Sequence, residues 1–269
     1  MAYRYLLYID ILGFSDLVNE PGKVEDLYEV VASLNVHKHP DFRSIVFSDT
    51  ILVYNLSEMA GCRNPSYYVM YLCEFAQDLQ ARLLGKDIYF RAVLVRGDFN
   101  HYELNGIPCF YGEALVNAYQ SEKKIKAIGL FMQSSLAEFS DVFHTEAFNE
   151  EYDFVFITQG LERVRDAYEG QIPLPKWLIE ETEEIHGLSL DLIHVKHICN
   201  NKQKQQSLDI KSKFERTWEI LQNRYPQVLD ALEESDFDWD VVSRGANWNA
   251  YMKQYPANYS WAIEARVDF

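Results

Sequence analysis

Short blocks of apolar residues recur along the first half of the chain, and their spacing predicts strands and helices in turn. The segment YRYLLYI, at 3–9, is rich in aromatic and branched residues and favours a central strand that ends at Asp10. Helical spacing follows over 23–34. The next two apolar runs are separated only by Ser48 and Asp49, a pattern that predicts a β-hairpin with Asp49 at its tip.

Helical and strand patterns continue to about residue 132. The apolar positions over 66–84 follow i, i+4, i+7 spacing, which predicts an amphipathic helix. A strand over 88–95, a connection over 96–111, a helix within 112–125 and a strand at 129–132 follow. This order predicts an antiparallel or mixed sheet with helices packed on one face, which is an α+β, ferredoxin-like βαββαβ core.

The periodic pattern weakens beyond residue 135. Four elements are predicted there: a helix near 134–143, strands at 152–157 and 190–197, and a helix over 202–221. Aromatic residues are frequent from Tyr225 onward, and we interpret them as packing or oligomer contacts. The expected organisation is a catalytic domain over 1–200 and a mainly helical extension, 201–269, packed on it.

Composition narrows the function classes. The chain has 269 residues, of which 48% are apolar, so we expect a folded protein with a sizeable core. Its formal charge of −16 disfavours binding to a nucleic-acid polymer, because both partners would be anionic. No apolar stretch is long enough for a membrane helix, so we expect no membrane partner and a cytoplasmic location. No C-x-x-C pair is present, and we expect four free thiols: Cys62, Cys73, Cys109 and Cys199.

Asp10 and Asp49 are the candidates for chemistry. If the hairpin pairs beside the first strand, the two carboxylates converge, and the turn at Gly13 offers backbone N–H groups to phosphate oxygens. Carboxylates are the hard oxygen ligands that Mg²⁺ or Mn²⁺ prefers, and paired ions suit phosphoryl or nucleotidyl transfer. The alternative is that each Asp is only a turn or helix-capping residue.

Four motifs in order resemble the catalytic domain of class III nucleotidyl cyclases, over about residues 3–135. YIDILGFS, at 8–15, is similar to the family's F-x-D-I-x-G-F-[ST] signature, and FSDT, at 47–50, is similar to the segment that holds its second metal-binding Asp. FRAVLVRG, at 90–97, resembles the strand before the family's H-x-G turn. YGEALVNAYQSE, at 111–122, resembles the G-x-x-V-N-x-A-x-R-x-E helix through its Gly, Ala and Glu.

The resemblance implies a nucleotidyl cyclase in which two Mn²⁺ or Mg²⁺ ions lie between the paired Asp residues and a nucleoside triphosphate. In that family the 3′-hydroxyl attacks the α-phosphorus, pyrophosphate leaves and a 3′,5′-cyclic mononucleotide forms. By position, the resemblance gives the metal ligands as Asp10, Asp49 and the Ile11 carbonyl. It also implies a homodimer, because the family's active site forms across two copies.

Two positions of the family's helix differ in this chain. The transition-state Arg falls on Gln120 and the ribose-orienting Asn falls on Val116, whereas Asn117 comes one residue later, about 100° around a helix. We therefore expect another cation to stabilise the developing phosphoryl charge, and we assign Arg96, which precedes the Gly97 turn. The remaining candidates, for which the alternative is a solvated surface charge, are Arg91, Lys123 and Lys124.

The positions that read the purine base in this family also differ. Adenylate cyclases have Lys and Asp, and guanylate cyclases Glu and Cys, where this chain has Ile45 and Cys109. Since neither purine is read in the usual manner, we predict a pyrimidine base recognised by Ser48, Thr50 or Arg96. The full predicted substrate-binding set is Phe14, Ile45, Ser48, Thr50, Cys109 and Asn117.

This combination is similar to the pyrimidine cyclases of bacterial Pycsar antiphage systems, which make cyclic UMP or cyclic CMP that activates a separate effector protein. The resemblance implies a uridylate or cytidylate cyclase in antiviral defence, with UTP slightly favoured over CTP. The alternative is a catalytically inactive cyclase-homology module that binds nucleotide or dimerises as a regulator. Val116 and Gln120 favour that alternative, and the retained Asp pair opposes it. A diguanylate cyclase is disfavoured, because two Gly do not precede Asp49.

Overall fold

The computed structural model describes residues 3–34, 39–56, 64–181, 187–205 and 207–253. The chain divides into two compact units, Met1–Ile157 and Thr158–Phe269. The sequence suggested a boundary between residues 200 and 201, and these residues lie within one helix of the second unit. Cys62 and the aromatic residues beyond 253 lie outside the described residues.

The first unit contains one mixed sheet and one separate hairpin. The sheet strands are β1 (Tyr3–Ile11), β2 (Phe42–Phe47), β3 (Thr50–Asn55), β4 (Phe90–Asp98), β7 (Gly129–Gln133), β8 (Thr145–Ala147) and β9 (Tyr152–Val155). The hairpin strands are β5 (Asn100–Leu104) and β6 (Ile107–Tyr111). Across the described residues the sheet order is β2-β3-β1-β4-β7-β9-β8, with antiparallel neighbours except for β4 and β7.

The helices of the first unit are α1 (Phe14–Leu17), α2 (Pro21–Ser33), α3 (Pro65–Leu83) and α4 (Glu113–Lys124), in the part of the chain that the structure describes. The order β1-α2-β2-β3-α3-β4 confirms the predicted α+β, βαββαβ core. Two local expectations differ. The predicted connection over 96–111 continues β4 and then forms the β5–β6 hairpin, and the helix expected near 134–143 is a short 3₁₀ helix, Ser134–Phe139.

Alternate residues of β1 point to opposite faces of the sheet. Tyr5, Leu7, Ile9 and Ile11 are buried in one core with apolar residues of α2 and α3. The other face carries α4, because Ala114 lies against Gly97 of β4. The expectation that the helices pack on one face is therefore wrong for α4, which is the crossover between the parallel strands β4 and β7.

The described part of the second unit is helical, which was predicted only for the residues after 200. Its helices are α5 (Gln159–Tyr168), α6 (Lys176–Glu180), α7 (Leu188–Lys204), α8 (Leu208–Arg224), α9 (Pro226–Glu234) and α10 (Trp248–Lys253). The strand predicted over 190–197 is wrong, since these residues lie in α7. His194 and His197 are therefore neighbours on one side of a helix rather than on opposite faces of a strand. The helix predicted over 202–221 is divided between α7 and α8.

Buried polar contacts hold α5 against α7 and α8. The Asp191 carboxylate, on α7, accepts hydrogen bonds from the backbone N–H groups of Gly160 (2.6 Å) and Leu161 (3.0 Å). Arg224 of α8 donates two hydrogen bonds to Glu162, at 2.9 and 2.7 Å. Asp191 therefore satisfies two backbone N–H groups in the first turn of α5, and the Arg224–Glu162 ion pair is held by two charge-assisted hydrogen bonds. Within the described ranges, no helix is both long and apolar enough to span a membrane.

Candidate functional site

Two sequence-predicted carboxylates lie at the same end of the sheet. Asp10 is the penultimate residue of β1 and pairs in register with Thr50 of β3. The Ile11 N–H donates to the Asp49 carbonyl oxygen at 3.0 Å, so Asp49 lies directly beside the end of β1. The predicted pairing of the hairpin with the first strand is confirmed, and it brings the backbones of Asp10 and Asp49 to the same end of the sheet.

The Asp10 carboxylate forms an ion pair with a buried arginine. Arg91 Nη2 donates to Asp10 Oδ2 at 2.7 Å, and Arg91 Nη1 donates to the Ile125 carbonyl at 2.9 Å. Arg91 is 5% exposed, and it lies opposite Asp10 in the β1–β4 register. The view of Arg91 as a solvated surface charge is wrong, because its guanidinium is enclosed between β1 and the end of α4.

The turn between β2 and β3 fixes Asp49. Ser48 has a φ of 55°, in the left-handed region, and its carbonyl accepts a hydrogen bond from the Tyr28 hydroxyl at 3.2 Å. Thr50 Oγ1 lies 3.5 Å from Asp49 Oδ1 and 3.4 Å from the Tyr8 hydroxyl. Ser48 and Thr50, both predicted to bind substrate, therefore flank Asp49 at the edge of the sheet.

Backbone hydrogen bonds close the turn after β1. Gly13 has a φ of 69°, and its carbonyl accepts hydrogen bonds from Asp16 N (2.9 Å) and Leu17 N (3.1 Å). The Leu12 N–H donates to the Tyr89 carbonyl, so this amide is used within the sheet. Phe14, predicted to bind substrate, packs against the hydrophobic core.

Arg96 does not join the two carboxylates within one copy of the chain. It pairs in register with Tyr5, five residues from Arg91 along β4, or about 17 Å. An odd separation along a strand also places the two arginines on opposite faces. Arg96 instead lies over the Tyr3 and Tyr5 rings, at 4.9 and 5.6 Å from their centroids.

The remaining predicted substrate residues lie on three different elements. Ile45 is on β2, two strands away from β1, and its register partner is Leu52 of β3. Cys109 is on the β5–β6 hairpin. Asn117 lies on α4, half-buried beside a buried stripe that includes Ala118, whereas Val116 and Gln120 are exposed. The side chain of Lys123 lies outside the described residues, and Lys124 pairs with Glu151 at 2.5 Å.

Asp10 and Asp49 offer the carboxylate oxygens that a divalent cation prefers as ligands. Among the described residues, no group of three or more His, Cys, Asp or Glu side chains is arranged to hold a metal ion. An ion between Asp10 and Asp49 would complete its shell with backbone carbonyls, water and phosphate oxygens, as Mg²⁺ sites commonly do. The Ile11 carbonyl is suitably placed, because it points to the same strand edge as the Ile11 N–H.

Arg91 is the residue that sequence reasoning underrated. It is the single charged side chain in the run IYFRAVLV, which predicts a buried central strand. A charge inside such a run has to be paired. The sequence therefore indicated that Arg91 is paired. It did not indicate that the partner is Asp10, because that depends on the β1–β4 register.

Several solved structures resemble this chain at low sequence identity. No protein-family model and no curated protein matches the sequence. The match to the guanylyl cyclase domain of the RhoGC fusion protein from Blastocladiella emersonii covers 58% of this chain and 97% of that domain, at 15% identity and a TM-score of 0.45. The adenylyl cyclase CyaB of P. aeruginosa covers 57% and 93%, at 12% identity and a TM-score of 0.42. The guanylate cyclase domain from Catenaria anguillulae, solved with GTP, covers 57% and 96%, at 14% identity and a TM-score of 0.43.

Proposed function

We propose that the first unit is a nucleotidyl cyclase domain, which converts a nucleoside triphosphate to the 3′,5′-cyclic monophosphate and pyrophosphate. The observation that carries the proposal is the juxtaposition of Asp10 and Asp49 at one sheet end, with a buried guanidinium against Asp10. Both aspartates belong to motifs that resemble class III cyclases. A turn or cap role for each Asp does not account for that pairing.

Asp10, Asp49 and the Ile11 carbonyl would hold two Mg²⁺ or Mn²⁺ ions. Bound divalent ions would neutralise triphosphate charge and make the 3′-hydroxyl easier to deprotonate. The ion pair engages Oδ2 of Asp10, so Arg91 orients this carboxylate and lowers the net negative charge of the site. Two carboxylates and one guanidinium leave a formal charge of −1 before ions bind.

Arg91, whose guanidinium contacts Asp10, would also lie close to the site of phosphoryl transfer. In this role it would replace the arginine that Gln120 lacks, since a positive charge aimed at the developing phosphoryl charge stabilises the transition state. Arg96 could contribute only through another copy of the chain, because it lies on the far face.

For the substrate, we propose a pyrimidine nucleoside triphosphate, with UTP favoured over CTP. Ile45 supports this, because an apolar side chain replaces the charged purine reader of the resembling family. The cyclic nucleotide would act on a separate effector protein in antiviral defence, within the cytoplasm. The predicted substrate contacts of Phe14, Ser48, Thr50, Cys109 and Asn117 belong to the same proposal.

The active form is proposed to be a homodimer. The β5–β6 hairpin and the adjoining face of α4 carry a group of exposed large apolar side chains, here called the hairpin patch: Tyr102, Leu104, Ile107, Tyr111, Val116 and Tyr119. Exposed apolar groups rich in tyrosine are typical of protein interfaces. Cys109 and Asn117 are on the same two elements, so a partner copy seated there could bring them to Asp10.

The test is to incubate the purified protein with Mn²⁺ and each of ATP, GTP, CTP and UTP, and to detect cyclic mononucleotides by mass spectrometry. Cyclic UMP is the expected main product. Asp49→Asn should lower turnover by at least about a thousandfold, as loss of a metal ligand removes most transition-state stabilisation. Asp87→Asn, at an exposed turn, is the matched control. Full activity of Asp49→Asn would refute the two-metal site.

The second candidate is a catalytically inactive module that binds nucleotide or dimerises. The observation that favours it is the exposed, uncharged pair Val116 and Gln120 on α4. Nucleotide binding in equilibrium dialysis without any cyclic product from the four triphosphates would favour this candidate.

A further inference from the structure

The sheet face that carries Asp10 has three successive rows of side chains across β2, β3, β1 and β4. Cross-strand partners share a face, so the register defines each row. The first row is Phe47, Thr50, Asp10 and Arg91, and the second is Ile45, Leu52, Tyr8 and Val93. The third row is Arg43, Tyr54, Leu6 and Val95. The first row contains the ion pair of Asp10 and Arg91, the second is apolar apart from the Tyr8 hydroxyl, and the third begins with the cation Arg43.

A group of hydrogen-bond donors lies at the Arg43 end of the third row. It comprises Arg43, Tyr54 and His101, and is here called the donor cluster. The Tyr54 hydroxyl is hydrogen-bonded to His101 Nδ1. The Tyr54 ring packs edge-on against Phe99, with centroids 4.8 Å apart, and the His101 ring lies 4.6 Å from that of Phe110. The aromatic packing fixes Tyr54 and His101, while Arg43 is exposed on the edge strand β2.

The Arg43 guanidinium is hydrogen-bonded to the Tyr54 side chain and keeps further N–H donors on the exposed side of β2. A guanidinium has five N–H donors and no acceptor. No ion pair involves Arg43 within the described ranges of the chain. Burial lowers the pKa of His101, and the nearby positive charges of Arg43 and Arg4 lower it further. When the Tyr54 hydroxyl donates to His101 Nδ1, Nε2 carries the hydrogen and is a further donor.

We propose that the donor cluster reads the polar edge of the substrate's base, and that this edge carries carbonyl acceptors, as uracil does, rather than an exocyclic amino group. This inference rests on the proposed cyclase function and names the base that the same site selects. Arg43 and His101 offer donors, so a carbonyl oxygen gains hydrogen bonds there. The 4-amino group of cytosine is itself a donor, so it would face other donors and lose its hydrogen bonds to water.

The spacing of the rows suits a nucleotide. Thr50 and Tyr54 are four residues apart on β3, which is about 13 Å along the strand. Leu52, Tyr8 and Val93 of the second row are buried, whereas Ile45 is partly exposed. With the phosphates at the first row, the base would lie against Ile45, and its outer edge would meet the exposed Arg43 side chain. Ile45 then serves as part of the apolar floor, which explains why a charged reader is not required at that position.

The decisive variant is Arg43→Gln, which replaces a donor-only group by one that can also accept a hydrogen bond from an amino group. We expect wild-type kcat/KM to be higher for UTP than for CTP. Arg43→Gln should raise the ratio of CTP to UTP kcat/KM by about 10- to 100-fold, chiefly through KM, since the base contact is made in the ground state as well. Lys86→Ala, at a partly exposed cation after α3 that pairs with Asp26, is the matched control and should leave the ratio unchanged.

An unchanged ratio in Arg43→Gln, or a wild-type preference for CTP, overturns base reading by the donor cluster while leaving cyclase activity intact. If the wild type gives no cyclic product with any triphosphate, the proposed function fails instead. Base reading is then decided by equilibrium dialysis of UTP and CTP with Mn²⁺. Tighter UTP binding that is lost in Arg43→Gln supports it, and equal affinities refute it.

Discussion

Asp10 and Arg91 show how much one residue pair determines at this site. The Asp10 side chain is 19% exposed and Arg91 is buried, so their ion pair is only partly accessible to water. A charge left unpaired in such a place is strongly destabilising, whereas removal of both charges is often tolerated.

Arg91→Met should therefore lower the free energy of unfolding by about 2 to 3 kcal/mol, because it leaves the Asp10 carboxylate without its guanidinium. Urea unfolding followed by circular dichroism measures this. The double variant Asp10→Asn/Arg91→Met should recover at least half of the loss. Additive losses in the double-mutant cycle would contradict a direct coupling between the two side chains.

The residues of the candidate site were predictable to different extents. Asp10 and Asp49 stand in short motifs at predicted strand ends, and local sequence places both there. Arg96 was assigned from the adjacent Gly97, but β4 continues to Asp98, so the strand alternation directs Arg96 to the other face. Face and register depend on pairing with distant strands, which single-sequence patterns do not contain.

At the scale of elements, α7 shows why the second half of the chain was harder to read. Its segment LDLIHVKH contains short apolar and branched runs that fit a strand as well as a helix. Burial of Leu188, Leu192, Val195 and Cys199 follows helical spacing, and packing on the neighbouring helices decides the outcome. In the first half, hairpin and amphipathic-helix patterns were longer, so most elements there were predicted within a few residues.

The contact between α7 and α5 makes the second unit sensitive to pH. Burial raises the pKa of Asp191 to about 8, against the opposing hydrogen bonds from Leu161 and Gly160. The folded form then holds a proton that the unfolded chain has lost, so stability should fall as pH rises from about 4 to about 8, by up to about 1.4 kcal/mol per pH unit.

Tryptophan fluorescence during urea unfolding measures this effect, because all five tryptophans lie within 158–269. Asp191→Asn should flatten the pH dependence, and Asp166→Asn, at an exposed position of α5, should not. A stability of the second unit that rises across this pH range would contradict a protonated Asp191.

At the scale of the whole molecule, the hairpin patch predicts self-association. Ile107→Asp and Tyr119→Asp each place a charge in the patch, and each should weaken the dimer by at least about tenfold, as desolvating an unpaired charge is unfavourable. Sedimentation velocity measures the association, and circular dichroism checks that the fold is retained. Leu208→Asp, at an exposed apolar residue of the second unit, is the control. A wild-type protein that is monomeric and fully active would exclude the homodimer.

The opposed positions of Asp10 and Arg91 have a consequence for folding fidelity. A slip of one residue between β1 and β4 would turn one strand's side chains to the other face, separating the pair and driving a charge into the apolar core around Ile9. Asp10 and Arg91 therefore penalise misaligned pairing of the two central strands. This constraint on their identity is independent of the proposed catalytic role, so a chain without that role would still have a reason to keep both residues.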